Sequence, residues 1–191
     1  MPEDALHQVE IPLRLSMGHI RIQMQGQGYG LLIYCGYRSP QEQAKVYRRS
    51  RTWAEIVAKI SWYEESGFDM MARCLEDVGP QHGTVGQHRT WVGPCESWHQ
   101  YQQALDAVPV LDGQLCWTYP AESDAERVVW KTYEALIGQE ALSWGGHWKN
   151  PDACHVQLSP GAASPLGRYD ASSEDTEAIM RRLSAEHGWD L

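Results

Sequence analysis

The chain has 191 residues, 42% of them apolar, which is enough to bury one sizeable core and too apolar for general disorder. Its 16 Lys+Arg against 25 Asp+Glu leave a net charge of −9, which argues against a broad footprint for nucleic acid or an anionic membrane surface. No apolar run approaches the roughly 20 residues of a membrane span, and the start, Met1-Pro2-Glu3-Asp4, lacks the basic-then-apolar order of a secretory signal. These features predict a single domain over residues 1–191, cytoplasmic as synthesised and without stable membrane insertion. The five cysteines, Cys35, Cys74, Cys95, Cys116 and Cys154, are odd in number and form no CxxC pair, so they are expected to be reduced and mostly packed.

Leu13, Met17 and Ile20 recur at helical spacing and predict a first helix ending near Arg21. The glycine run at 26–30 precedes the strand-like 31–35, the reverse of the order a dinucleotide loop requires, and reads as a break. Ser39, Pro40 and Glu42 form a capping-box signature that starts a helix over 40–51 and leaves Arg38 at a strand-to-helix junction. One or two helices broken near Gly67 are expected over 53–78, then a long loop over 79–95. Residues 104–111 read as a strand, Asp112-Gly113 as a hairpin turn and 114–119 as the returning strand. A helix over 123–142, a strand over 155–158, a Gly/Pro/Ser linker and a closing helix over 173–187 complete the chain. Helices interleaved with short hairpin-joined strands predict an α+β domain.

His99, Asp106 and His155 stand out as metal-ligand types. Two imidazoles and a carboxylate around an open position are a common catalytic zinc arrangement. On residue types alone the triple is one of many among eight histidines and 25 acids. The context narrows the choice. Residues 97–106, Ser-Trp-His-Gln-Tyr-Gln-Gln-Ala-Leu-Asp, closely resemble the SxHxxGxAxD pattern, with Gln102 in place of the usual glycine. That pattern marks the zinc peptidases that include D-Ala-D-Ala carboxypeptidases, VanY-like vancomycin-resistance peptidases and phage L-alanyl-D-glutamate endolysins. Residues 34–43 resemble the upstream GYRS…Q block, and Trp144-Gly145-Gly146-His147-Trp148 with Asp152 and His155 resembles the WGGxW…[DE]xxH block of the endolysin branch.

The resemblance implies a small antiparallel sheet flanked by helices, of the Hedgehog/DD-peptidase type, with residues 53–93 as a helical insertion or lid. It implies that His99, Asp106 and His155 bind Zn2+, that Asp152 is the general base and that Arg38 stabilises the oxyanion. Ser97 is expected to support the His99 loop, and His147 and Trp148 to contact substrate. The plainer readings are a turn residue for Asp152, a surface ion pair for Arg38, solvated loop positions for His82 and His88, and a packed strand thiol for Cys154.

The implied activity is hydrolysis of a peptide-stem amide of peptidoglycan by a monomer. The WGGxW spacing and the aspartate base favour the L-Ala-D-Glu bond and a phage-type endolysin, reaching the cell wall after holin-type release or delivery. The alternatives are a D,D-carboxypeptidase removing terminal D-Ala, a secreted cell-wall-degrading effector, or a non-catalytic zinc-binding relative of the fold.

Overall fold

The fold is taken from a computed structural model that describes residues 5–49, 51–80 and 90–158, with isolated positions at 178, 181 and 185. His82, His88, the Gly/Pro/Ser linker and most of the expected closing helix lie outside the described residues.

Two units divide the chain. One takes in the described residues of Met1–Tyr37 and Gln102–Gly161, the other those of Arg38–Tyr101 and Ala162–Leu191. In the first, α1 (Ile11–Gly26) buries Leu13, Met17, Ile20 and Met24. Met24 extends the apolar stripe by one more helical step, so the helix runs beyond the Arg21 expected from the sequence. The chain closes it through Gly28 at φ +85° and enters β1 (Gly30–Cys35). The glycine run is thus a helix-to-strand turn, and Gly30 is required because a Cβ there would stand 2.9 Å from the Val110 Cβ.

Strand β2 (Ala104–Leu111) is central. It pairs antiparallel with β1, with the short β3 (Gln114–Leu115) and with β5 (His155–Gln157), and β5 in turn pairs with β4 (Ser143–Trp144), giving the order β1-β2-β5-β4. Asp112 and Gly113, both at positive φ, make the hairpin turn the dipeptide predicts. The returning strand is shorter than the expected 114–119. The Trp117 N–H turns back to the Leu115 carbonyl, and Pro120, which follows a cis peptide bond, has no N–H for a ladder.

Helix α5 (Asp124–Gln139) is capped by Ser123, whose hydroxyl accepts from the Glu126 N–H at 3.2 Å. It ends earlier than the expected 142 because Ala141 adopts φ +54° and the chain passes into β4, an element the sequence reading left out. Core residues of α1 and α5 pack with Leu31, Ile33, Leu105, Ala107, Trp144 and Val156 of the sheet. Burying one such leucine or isoleucine is worth about 2–5 kcal/mol against alanine.

The second unit is helical. Helix α2 (Pro40–Arg48) carries the full capping box of Ser39 and Glu42. It stops short of the expected Arg51 because Thr52 and Glu55 build a second capping box that opens α3 (Trp53–Glu65). Gly67 at φ +76° separates α3 from α4 (Asp69–Val78), the break its position predicts. Lys59 binds the buried Glu96 at 2.7 Å and lies over the Trp62 and Tyr63 rings. The architecture is α+β with a small antiparallel sheet and flanking helices, as expected.

Candidate functional site

In the first unit, three side chains with metal-ligand chemistry stand in one row across adjacent strands. Cys35 of β1 is registered opposite Asp106 of β2, and Asp106 opposite His155 of β5. Alternation puts this row on the sheet face opposite Leu105, Ala107 and Val156. The β1 register shifts between Ile33 and Cys35, so Tyr34 is the extra residue of a bulge and Cys35 takes the position facing Asp106.

His155 is fixed from both ends. Its Nδ1 lies 3.4 Å from Asp106 Oδ1, with both side chains largely buried. Its Nε2 lies 3.0 Å from Gln157 Oε1, the next residue on the same strand face. An amide oxygen only accepts, so this contact assigns a proton to Nε2, and a ring of that tautomer has its Nδ1 lone pair on the carboxylate side. Two electron-pair donors held face to face in a sheltered setting suit a shared cation, and an outer partner on the other ring nitrogen is how ligating imidazoles are usually held. The donor set therefore fits a zinc ion. The Trp148 ring packs 5.1 Å from the His155 ring.

Asp152 is exposed, on the turn that leads into β5, and the WGG block builds that turn. Its N–H donates to the Gly145 carbonyl at 2.9 Å, and its own carbonyl accepts from the His155 N–H at 3.1 Å. A Cβ on Gly145 would meet the Asp152 carbonyl oxygen at 2.4 Å, and one on Gly146 would meet the Trp144 ring at the same distance. Trp144 Nε1 donates to the Ala153 carbonyl at 2.7 Å. Both glycines and the tryptophan are thus dictated by the turn that carries Asp152 and His155.

Beneath the turn, the Tyr34 hydroxyl is hydrogen-bonded to the Cys154 thiol. Burial, with the charges of Asp106 and Asp152 adding to it, raises the Tyr34 hydroxyl far above the ordinary phenol range. Burial pushes the Cys154 thiol up to about 11, so it is neutral at physiological pH; it packs against the core, but from the turn before β5 and partly exposed rather than within a strand.

His147, in the same unit, is exposed. Its Nε2 lies 2.7 Å from Glu134 Oε1, and its ring stands edge-on to Trp144 at 5.0 Å.

The second unit holds Arg38, Ser97 and His99. Arg38 donates to Gln43 Oε1 at 2.8 Å, and the fully buried Gln43 donates in turn to Thr90 Oγ1 at 3.1 Å and to the Val92 carbonyl at 2.7 Å. The glutamine of the GYRS…Q block is therefore a clamp on the arginine, a role its spacing alone did not disclose. His99 is buried on a 3-10 turn, Trp98–Tyr101. Its N–H donates to Ser97 Oγ at 3.4 Å, and its carbonyl accepts from the Arg38 N–H at 3.4 Å. Buried Gln100 ties the same segment together, accepting from the Ser97 N–H and donating to the Arg38 carbonyl.

None of the five cysteines is in a disulfide; Cys74, Cys95 and Cys116 are buried, whereas Cys35 and Cys154 are partly exposed. The sequence reading grouped Cys35 with the packed thiols. Its place in the row depends on strand pairing and a bulge, which no local pattern encodes.

Residues 92–158 match the family model described as D-alanyl-D-alanine carboxypeptidase, Peptidase M15_4. The match covers roughly a third of the chain, the segment with His99, Asp106, Asp152 and His155. No curated protein matches. Among solved structures, the chain is similar to the Serratia marcescens L-Ala D-Glu endopeptidase ChiX, with 17% identity, a TM-score of 0.42, and 88% of this chain and 90% of that chain covered. It is also similar to a variant of the vancomycin resistance D,D-pentapeptidase VanY from a VanB-type resistance cassette in complex with Zn(II), with 12% identity, a TM-score of 0.41, and coverage of 88% and 83%.

Proposed function

We propose that the protein is a zinc-dependent peptidase that hydrolyses the L-Ala-D-Glu amide of peptidoglycan stem peptides, as a phage-type endolysin does. The observation that carries this reading is the Asp106–His155 pair, 3.4 Å apart, with Asp152 on a turn that the WGG block fixes by a direct hydrogen bond.

In this reading His99, Asp106 and His155 hold the metal, a donor set that leaves the site formally +1 and attractive to an anionic peptide stem. Bound zinc would polarise the scissile carbonyl and acidify a water molecule. Asp152 takes the proton of the attacking water and passes it to the leaving amine, so that one amide gives one carboxylate and one amine. Arg38, oriented by Gln43, donates to the carbonyl oxygen as it gains negative charge. Ser97 positions His99, and His147 and Trp148 contact the stem.

The protein acts as a monomer in the cell wall, after holin-type release or delivery as an effector; among the described residues no helix is long and apolar enough to cross a membrane. The description of the matching family favours a second reading, removal of terminal D-Ala by a D,D-carboxypeptidase.

Digestion of purified peptidoglycan with and without chelator, followed by mass spectrometry, tests both. Chelator-sensitive release of stems that begin at D-Glu is the expected result. Loss of terminal D-Ala alone moves the protein to the carboxypeptidase branch. No chelator-sensitive cleavage overturns the peptidase reading in favour of a non-catalytic zinc-binding relative.

A further inference from the structure

Asp106 has a metal-binding neighbour on each side. His155 Nδ1 lies 3.4 Å from its carboxylate on the β5 side, and on the β1 side Cys35 Sγ lies within 4.8 Å of a carboxylate oxygen. We propose that Cys35 is a further ligand of the metal, a thiolate that joins Asp106 and His155 on the same cation. The proposal rests on the reading of Asp106 and His155 as metal ligands, and it adds a soft donor that the motif-derived set does not contain.

Three observations carry it. The register Cys35↔Asp106↔His155 puts the three side chains in one row on one face of the sheet. The bulge at Tyr34 creates that register, for without the extra residue Tyr34 would face Asp106. Cys35 is also partly exposed, in neither a disulfide nor the sealed core.

With metal–sulfur bonds near 2.3 Å and metal–oxygen bonds of about 2.0–2.2 Å, donors on a tetrahedral ion stand roughly 3.5 Å apart. The 4.8 Å limit on the Cys35–Asp106 separation is wider than that spacing, so binding draws the two donors together. On binding, the thiol gives its proton to solvent and its electron pair to the cation, with no change of oxidation state. Three protein donors leave a position open; in the resting protein the thiolate fills it and brings the site to formal neutrality, and for turnover the thiolate takes back a proton and leaves, restoring the open position and the formal +1. A thiolate also favours soft, thiophilic ions over hard ones.

Cobalt(II) loading of the full-length, metal-stripped protein tests the inference by absorption spectroscopy. The wild-type protein should show tetrahedral cobalt bands in the visible together with an intense thiolate-to-cobalt charge-transfer band in the near ultraviolet. Cys35→Ser and Cys35→Ala should keep the visible bands, lose the charge-transfer band and bind cobalt at least about tenfold more weakly, since loss of even an outer partner costs roughly 10–100-fold.

A wild-type spectrum with visible bands and no charge transfer overturns the role of Cys35 and leaves the metal site standing. A charge-transfer band that persists in both Cys35 variants and disappears in Cys154→Ser overturns it in favour of the other partly exposed thiol. Failure of the wild-type protein to bind cobalt at all overturns the metal site, and the proposal with it. The wild-type spectrum decides even if a Cys35 variant does not fold.

Discussion

The carbonyl of Gly145 accepts the backbone N–H of Asp152 at 2.9 Å, and the two residues pack so closely that a single methyl group on Gly145 would stand 2.4 Å from the Asp152 carbonyl oxygen. The proposed base is therefore aimed by a glycine seven positions earlier. Gly145→Ala must push the turn outward, at a cost of about 1–3 kcal/mol for overpacking. A displacement near 1 Å at a reacting group costs on the order of 10²-fold in rate. Turnover of a stem-peptide substrate, measured beside thermal unfolding, should show the rate falling far more than the stability predicts. Unchanged turnover would mean that the turn does not aim the base.

Asp152 and His155 are neighbours in the chain, and the proposal gives them different roles. Asp152→Ala should retain zinc and lose nearly all turnover, whereas His155→Ala should lose both. Metal content by elemental analysis, read beside activity, separates them. Full activity in Asp152→Ala would remove it as the base, and full metal occupancy in His155→Ala would remove that ligand.

Arg38 is held by Gln43, a side chain with no exposed surface and three hydrogen bonds. Arg38→Ala should lower kcat more than it raises KM, because an oxyanion partner is used in the transition state. Gln43→Leu should reproduce part of that loss and add about 1–3 kcal/mol of instability, from the three hydrogen bonds lost with Arg38, Thr90 and Val92. If Arg38→Ala changes KM alone, the arginine is a binding residue.

What was legible in the sequence was local. The Ser39 capping box, the Asp112-Gly113 turn, the Gly67 break and the apolar stripes of α1 and α5 are written in neighbouring residues, and the structure builds each of them. The motif blocks pointed to Asp106 and His155 as partners, and the register brings them together. Non-local features were not legible. Cys35 faces Asp106 only through pairing of strands some 70 residues apart with one extra residue between, and β4 is two residues long, set by its partner rather than by its own pattern. Gln157, by contrast, was within reach, since period-two alternation puts it on the face of His155.

Gln102 stands where the zinc-peptidase motif has glycine, and its φ is +59°, the left-handed region that a side chain enters at a cost of about 1–2 kcal/mol. Its carbonyl accepts the Glu10 N–H at 3.0 Å, so the conformation is held by the fold. Gln102→Gly removes that strain and returns roughly 0.5–1 kcal/mol of it as the extra entropy of glycine in the unfolded chain. The net expectation is a stabilisation of up to about 1 kcal/mol, read as a higher urea midpoint with an unchanged slope. A lower midpoint would show that the Gln102 side chain contributes more than its backbone costs.

Thiols raised by burial, Cys116 among them, make the protein sensitive to alkali. Burial pushes Cys74 up to about 12 and Cys154 up to about 11, from an ordinary thiol value near 9. A group whose folded value is raised contributes stability that is fully present below the unfolded value and lost as pH rises through the folded one. Urea midpoints should therefore be flat from pH 7 to about 9 and fall between about 9 and 12, with the buried Tyr63 and Tyr133 hydroxyls, also raised by burial, adding to the decline. Cys74→Ala removes one of these thiols and should make the fall shallower. A midpoint that holds constant to pH 11 in the wild-type protein would show that these thiols ionise without opening the fold.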